Sequence, residues 1–356
     1  MDNKLVSIVI PMYNAEQYIG KIIESVIAQT YKFWELIIVD DNSSDNSCNI
    51  VRHYVTQYEN IKLYVKKENE KKGANPSRNI GARLARGEYI VYFDADDLIT
   101  NYCISQRVAF MEENPHVDFG IFPAVTFEDT VFDCSVNFGY KQDYLVMSKF
   151  MAGLLPFAVW TNIYRLSSLQ DNRIIWDEDL PCLQDTVFNV LALSKGLKYK
   201  FSHNAPDYLW RFVGNMNSIS RSIYTDRRLG ARINVLNMLY RMNLDKRYDN
   251  ALLLRSFYIY LSVINSSAGN VREMFFDAAI FKSHKILVHK LKLHCNIINM
   301  CRISNRIAIL LLLFVFSPLY TFRGMFFNQI RKARIYMLHL NLKRKYKNII
   351  DKSVIY

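Results

Sequence analysis

Residues 75–97 read NPSRNIGARLARGEYIVYFDADD. Asn75–Arg86 predicts a helix, with Gly87 as its stop. Tyr89–Phe93 (YIVYF) is an apolar run of strand length, and it ends in Asp94-Ala95-Asp96-Asp97. A helix, a buried strand and an acidic strand end in that order suggest one unit of an α/β sheet. The flanking sequence repeats the unit. Val6–Ile10 is a β-branched run stopped by Pro11, and Ala15–Gln29 has apolar residues at 18, 19, 22, 23, 26 and 27, a helical period. Glu35–Val39 (ELIIV) is a second buried run, followed by DDNSSDNS, in which Ser44 or Asp45 can cap the next helix. Ile61–Val65 is a third strand.

Near-continuous apolar strands alternating with helices predict an α/β fold with a mainly parallel sheet flanked by helices. Ligands bind such sheets at the carboxyl ends of the strands. Tyr13-Asn14, Asp40-Asp41-Asn42 and Asp94–Asp97 all fall there. Beyond residue 100 the expectation is a helix near 103–113, strands near 118–127 and a helix near 183–195. From about 222 the pattern is mostly helical. The composition shift divides the chain into a 1–220 α/β unit and a 221–356 helical, basic region expected to associate with a membrane or oligomerise.

The 356 residues carry 45 Lys+Arg and 33 Asp+Glu, a net charge of +12. The excess is local: 281–356 holds 15 basic residues and one acid, Asp351, while 1–280 is at −2. At 51% hydrophobic and 22% charged the chain is neither disordered nor of low complexity. MDNKLVSIVIPMYN lacks the basic-then-apolar pattern of a secretory leader. The six cysteines show no metal-finger or CxxC spacing, which fits reduced thiols in a cytoplasmic protein.

Six clusters can carry chemistry. Asp94 and Asp96 lie at i and i+2 and point the same way in extended chain, an arrangement that suits a hard divalent cation; a solvated acidic turn is the plainer alternative. Asp40 or Asp41 can accept from a base or a ribose. Pro11, Tyr13, Asn14 and Glu16 lead into a helix whose first amides favour an anion, or serve as its cap. Arg78 sits in a predicted first helical turn, against the macrodipole, where a cation often has an anionic or hydrogen-bonding partner; a surface arginine is the plainer alternative. Asp185 starts a helix, as a cap or as a general base. Trp210 and Arg211 can meet a sugar face and a leaving phosphate.

In this order the segments resemble a family 2 glycosyltransferase of the GT-A fold, of the bacterial cell-surface polysaccharide type. VSIVIPMYNAEQYI, ELIIVDDNSSDNS, the 75–97 stretch, WDEDLPCLQDTVFN and YLWRF…NSIS carry the likeness, over about 1–220. The resemblance implies a nucleotide-diphospho-sugar donor, usually a UDP-sugar, and transfer with inversion to a saccharide or lipid-linked acceptor. Pro11, Tyr13, Glu16, Asp41 and Arg78 would line the nucleotide pocket. Asp94 and Asp96 would hold Mn²⁺ or Mg²⁺, and Asp185 would be the catalytic base. Gln184 departs from the Glu that usually precedes the base, and the QxxRW motif of processive synthases is absent, which implies one or few sugar additions.

Two rivals remain in view: a non-catalytic GT-A-like binding protein and a nucleotidyltransferase. The second needs a glycine-rich N-terminal loop, and residues 1–20 contain only Gly20. Nucleic acid does not explain an apolar stretch among cations, and no nucleic-acid partner is expected. Residues 307–322 form that stretch, short of a bilayer span and broken by Pro318. With the flanking Arg and Lys it predicts an anionic membrane surface as partner, on the cytoplasmic face of the inner membrane. A helical bundle or a homo-oligomer is the alternative.

Overall fold

The computed structural model describes residues 4–128, 137–138, 145–212, 226–243, 245–263, 269–289, 291–292, 344–346, 349–350 and 352–354. The first hundred residues form β1 (Val6–Met12), α1 (Ile19–Ile27), β2 (Trp34–Asp40), α2 (Ser47–Val55), β3 (Ile61–Val65), α3 (Ala74–Leu84) and β4 (Tyr89–Tyr92). β1, β2 and β4 are almost wholly buried, as runs too short for helices and covered on both faces must be. They pair in parallel with Val9 opposite both Ile37 and Tyr92. The carboxyl ends Met12 and Asp40 lie opposite each other, while β4 stops at Tyr92, opposite Val9.

Then come β5 (Leu98–Ile99), α4 (Cys103–Glu113), β6 (Phe119–Ile121), β7 (Ala124–Phe127), β8 (Asn137–Phe138), α5 (Val146–Met151) and β9 (Asn162–Arg165). α6 (Leu166–Asp171), α7 (Gln184–Ser194), β10 (Tyr199–Phe201), β11 (Tyr208–Arg211), α8 (Asp226–Met242), α9 (Asp249–Val263) and α10 (Gly269–Phe276) follow. The large sheet runs β10-β6-β9-β4-β1-β2-β3. β9 enters antiparallel to both β4 and β6, so the sheet is mixed. A smaller sheet, β5-β11-β7-β8, stands beside the acidic strand end.

One face of the large sheet shares its core with α7 and with Leu229, Leu236, Ile259 and Phe275 of α8–α10. The other face packs on α1 and α4. Tyr346 and Ile350, near the C-terminus, pack with Leu98, Val125, Phe127 and Leu209 of the small sheet. The Asn101 amide donates to the Ser353 carbonyl at 2.8 Å. Residues 307–322 and the NSIS segment at 217–220 lie outside the described residues.

Two glycines set close contacts. A Cβ at Gly81 would stand 2.3 Å from Val9 Cγ1, so α3 rests directly on β1. A Cβ at Gly87 would meet the Leu5 carbonyl at 2.7 Å. β1 runs past Pro11 to Met12, further than expected. β4 has ended opposite Val9, so the side of β1 that Pro11 leaves without an N–H has no strand to bond.

Candidate active site

The first loop corrects one expectation. α1 begins at Ile19, and residues 13–16 are zipped to residues 43–47. The amides of Asn14, Ala15 and Glu16 donate to Ser43 Oγ, Ser47 Oγ and Asp45 Oδ2 at 2.9, 2.8 and 3.0 Å. In return Asn14 Oδ1 and Glu16 Oε2 accept from the Ser44 and Asn46 amides, at 2.8 and 2.9 Å. These amides are already satisfied and do not form an anion seat. Pro11 is half-buried in β1 and Tyr13 is 61% exposed. Asp45 accepts from the Ser47 amide at 3.0 Å, but the N-cap of α2 is Asn46, without a side-chain cap bond, and not Ser44 or Asp45 as expected.

Asp40 is buried and accepts from the Ser43 amide at 3.1 Å, which is turn chemistry. Asp41 reaches the other way. Its Oδ1 pairs with Lys66 Nζ at 2.7 Å and its Oδ2 accepts from the Gly73 amide at 2.7 Å. Lys66 has a fully buried ammonium that also donates to the carbonyls of Lys71 and Gly73, at 2.9 and 3.2 Å. The pair fastens the loop between β3 and α3 to the end of β2. Sequence reading missed Lys66; its place just past a strand end was the available signal.

Arg78 joins the two acidic centres. One guanidinium nitrogen pairs with Asp94 Oδ1 at 2.7 Å, and the other donates to Gln184 Oε1 at 3.2 Å and Asn75 Oδ1 at 3.3 Å. Its guanidinium lies 4.6 Å from the Trp176 ring centroid. α3 starts at Ala74, so Arg78 is its fifth residue and lies past the first turn; its anionic partner is Asp94, but the helix end does not require one. Trp176 is held by Asn79, whose Oδ1 accepts from the Trp176 amide at 2.9 Å, and by Phe188, stacked at 4.3 Å.

Asp185 lies in the first turn of α7, after Leu183 in the left-handed region at φ 60°. Its Oδ1 accepts from the Val159 amide at 3.0 Å. Burial pushes its carboxyl above the usual range; the Arg78 charge and the Val159 amide oppose that shift without cancelling it. The group is more basic than an ordinary aspartate.

Across from it stands the acidic strand end. Asp96 is exposed at the turn that follows β4. Lost hydration and the neighbouring Asp94 charge raise its carboxyl to about 6. Asp97 is buried, and that burial with the charges of Asp96 and Asp94 raises it further. It accepts from Tyr208 OH at 2.5 Å and from the Arg211 amide at 2.7 Å. Arg211 lies between the rings of Tyr18 and Phe127, at 5.0 and 4.4 Å, and donates from Nε to the Asp96 carbonyl at 2.7 Å. Trp210 stacks on Trp160 at 6.1 Å. Among the described residues no three His, Cys, Asp or Glu side chains are grouped to hold a metal. Residues 94–97 form a turn, with the Asp97 amide on the Asp94 carbonyl at 3.4 Å, and not the extended chain expected; a hard cation there would offset the lost hydration and the Asp94 charge that raise Asp96, taking its other oxygens from substrate phosphates.

A family model, Glycosyl transferase family 2, matches residues 7–164. An uncharacterized glycosyltransferase of Haemophilus influenzae is 38% identical over 114 residues, 32% of this chain and 45% of its own. The chain thus spans under half of that relative. The Escherichia coli UDP-Glc:alpha-D-GlcNAc-diphosphoundecaprenol beta-1,3-glucosyltransferase WfgD is 28% identical over 221 residues, 62% of this chain and 74% of its own. The crystal structure of Staphylococcus aureus TarS 1-349 in complex with UDP-GlcNAc superposes with a TM-score of 0.62 at 23% identity, over 77% of this chain and 79% of that one. That likeness gives the fold, GT-A. The likeness to glycosyl transferase family 2 thus covers residues 7–164, which hold β1 to β4 and the acidic strand end.

Proposed function

We propose that the protein transfers a sugar, with inversion, from a nucleotide-diphospho-sugar to a hydroxyl of a saccharide or lipid-linked acceptor in bacterial cell-surface polysaccharide synthesis. The observation that carries this reading is the Asp185–Arg78–Asp94 arrangement. A buried carboxylate of raised basicity feels the charge of the same guanidinium that pairs with the acidic strand end. A UDP-sugar is the donor favoured by the resemblance.

Inversion is a single in-line displacement. The acceptor oxygen bonds to the anomeric carbon as the bond to the diphosphate breaks. Asp185 takes the acceptor proton on its carboxylate, and the Val159 amide orients that carboxylate through Oδ1. Arg78 holds Asp94 in place and limits the rise in Asp185 basicity. Arg211 sits beside Asp96, on the side where leaving-group charge develops. Asp94 and Asp96 would hold Mn²⁺ or Mg²⁺, which when bound neutralises the departing diphosphate. Asp41 keeps lone pairs for a nucleotide beside its bonds to Lys66 and Gly73, and Tyr13 is free to reach one. Pro11 and Glu16 shape the loop beside it.

We assign catalysis to 1–220 and membrane association to 221–356, through the apolar 307–322 run and its cations. Among the described residues no helix is long and apolar enough to cross a membrane. The test is nucleoside diphosphate release from a panel of UDP sugars, with Mn²⁺ and with chelator. Release from one sugar, lost with chelator, is expected. No release from any nucleotide sugar, despite binding, would favour a non-catalytic binding protein.

A further inference from the structure

Arg107 and Asp207 have fully buried side chains, yet they touch none of the groups assigned to chemistry above. Arg107, on α4, grips Asp207 with two bonds: Nε to Oδ2 at 2.9 Å and Nη2 to Oδ1 at 2.7 Å. Its remaining nitrogen, Nη1, donates to the carbonyls of Trp160 and Asn162, at 3.2 and 3.1 Å. The guanidinium lies 5.2 Å from each of the Phe93 and Phe122 ring centroids. A buried ion pair of this kind contributes little net stability compared with apolar packing. Its geometry is more telling than its energy.

Each segment it touches ends in a group of the proposed site. Phe93 precedes Asp94. Trp160 follows Val159, whose amide holds the Asp185 carboxylate. Asp207 precedes Tyr208, which accepts from the Asp94 amide at 3.2 Å and donates to Asp97 at 2.5 Å. Tyr208 also stacks on Trp160 at 4.7 Å and 16°. One rigid guanidinium therefore sets the base clamp and the acidic strand end relative to each other.

We propose that Arg107, through Asp207, is a positioning residue that fixes the distance between the base and the donor-side carboxylates. The inference rests on the assignment of Asp185 as base. A lysine keeps the charge but cannot bond Asp207 twice and also reach both carbonyls. Misplacement by about 1 Å costs about 10²-fold in rate. If the Val159 amide drifts from Asp185, one influence that lowers the pKa of that carboxyl is lost, and it rises further. The other charged or titratable groups acting on Asp185 are Arg78, Asp94 and Tyr164.

The experiment compares Arg107→Lys and Asp207→Asn with the unaltered full chain, using whichever UDP sugar supports turnover. The expected result is a folded protein with KM for the donor within about threefold and kcat lower by about 10²-fold. The acid limb of kcat/KM moves to higher pH. A role in folding alone lowers the active fraction and leaves that limb where it was. An unmoved limb with kcat within twofold in a folded variant overturns the inference, and so does failure of both variants to fold. Asp185→Asn is run beside them. Retained turnover there removes the base assignment itself; lost turnover there with an unmoved Arg107→Lys limb removes the positioning role alone.

Discussion

Replacing Lys66 by Met tests how the nucleotide side of the cleft is built. The lysine side chain is 0% exposed and its Asp41 partner 13%. Methionine keeps the volume and removes three bonds, to Asp41 and to the carbonyls of Lys71 and Gly73. Removing one member of a buried pair costs about 3–5 kcal/mol, because the remaining charge keeps its desolvation penalty. Asp41 retains the Gly73 amide and some water, which puts the expected cost near the lower figure, about 3 kcal/mol. At about 2–4 °C per kcal/mol for a domain of this size, thermal midpoint falls by about 6–12 °C. The double variant Lys66→Met, Asp41→Leu removes the orphaned charge and recovers most of that loss, since apolar replacement of a buried pair is often neutral. Donor affinity should not recover, because Asp41 is gone. Differential scanning calorimetry and nucleotide titration read both effects. A single variant within about 2 °C of the parent, or a double variant no better than the single, refutes the reasoning.

Other outcomes follow from the same geometry. Burial raises Asp185 in the folded state, so folding favours its protonated form. That stabilisation is full below the unfolded aspartate range and is lost as pH rises through the folded value. Asp185→Asn should therefore melt higher than the parent at pH 7–8, with the gap closing toward pH 4; an equal gap at both ends contradicts it. Gly81→Ala drives a methyl to within 2.3 Å of Val9 Cγ1, forces α3 off β1 and costs about 1–3 kcal/mol by urea titration. Removing 344–356 uncovers Leu98, Val125, Phe127 and Leu209 and should lower the thermal midpoint, which an unchanged melt would disprove. The full chain should co-sediment with phosphatidylglycerol vesicles and release as salt rises; binding equal on neutral vesicles counts against the basic region as the contact.

The strands, the acidic strand end and the helix carrying Asp185 were legible because each is a local pattern. Tyr89–Phe93 is apolar and bounded, and Val187, Phe188 and Leu191 repeat at helical spacing. What escaped depends on partners far apart in the chain. The start of α1 moved from Ala15 to Ile19 because Ser43, Asp45 and Ser47 take the amides of residues 14–16. β9 joins the sheet antiparallel between β4 and β6, a pairing set by the return of the chain and not by any period within Asn162–Arg165. Lys66 with Asp41 and Arg107 with Asp207 are buried charges whose partners lie 25 and 100 residues away. Arg78 is the intermediate case. Its expected place in a first helical turn suggested a partner; the fold supplied Asp94, although α3 starts at Ala74 and Arg78 falls past that turn.

The central claim is that Asp185 is the base facing a donor held at Asp94 and Asp96. It is tested most directly by the turnover of Asp185→Asn with a UDP sugar that the parent consumes, measured beside UDP binding by calorimetry. An asparagine oxygen can still accept from the Val159 amide, so the site keeps its shape. The account predicts a loss of about 10²–10⁴-fold in kcat with UDP affinity nearly unchanged. Turnover equal to the parent's would contradict it.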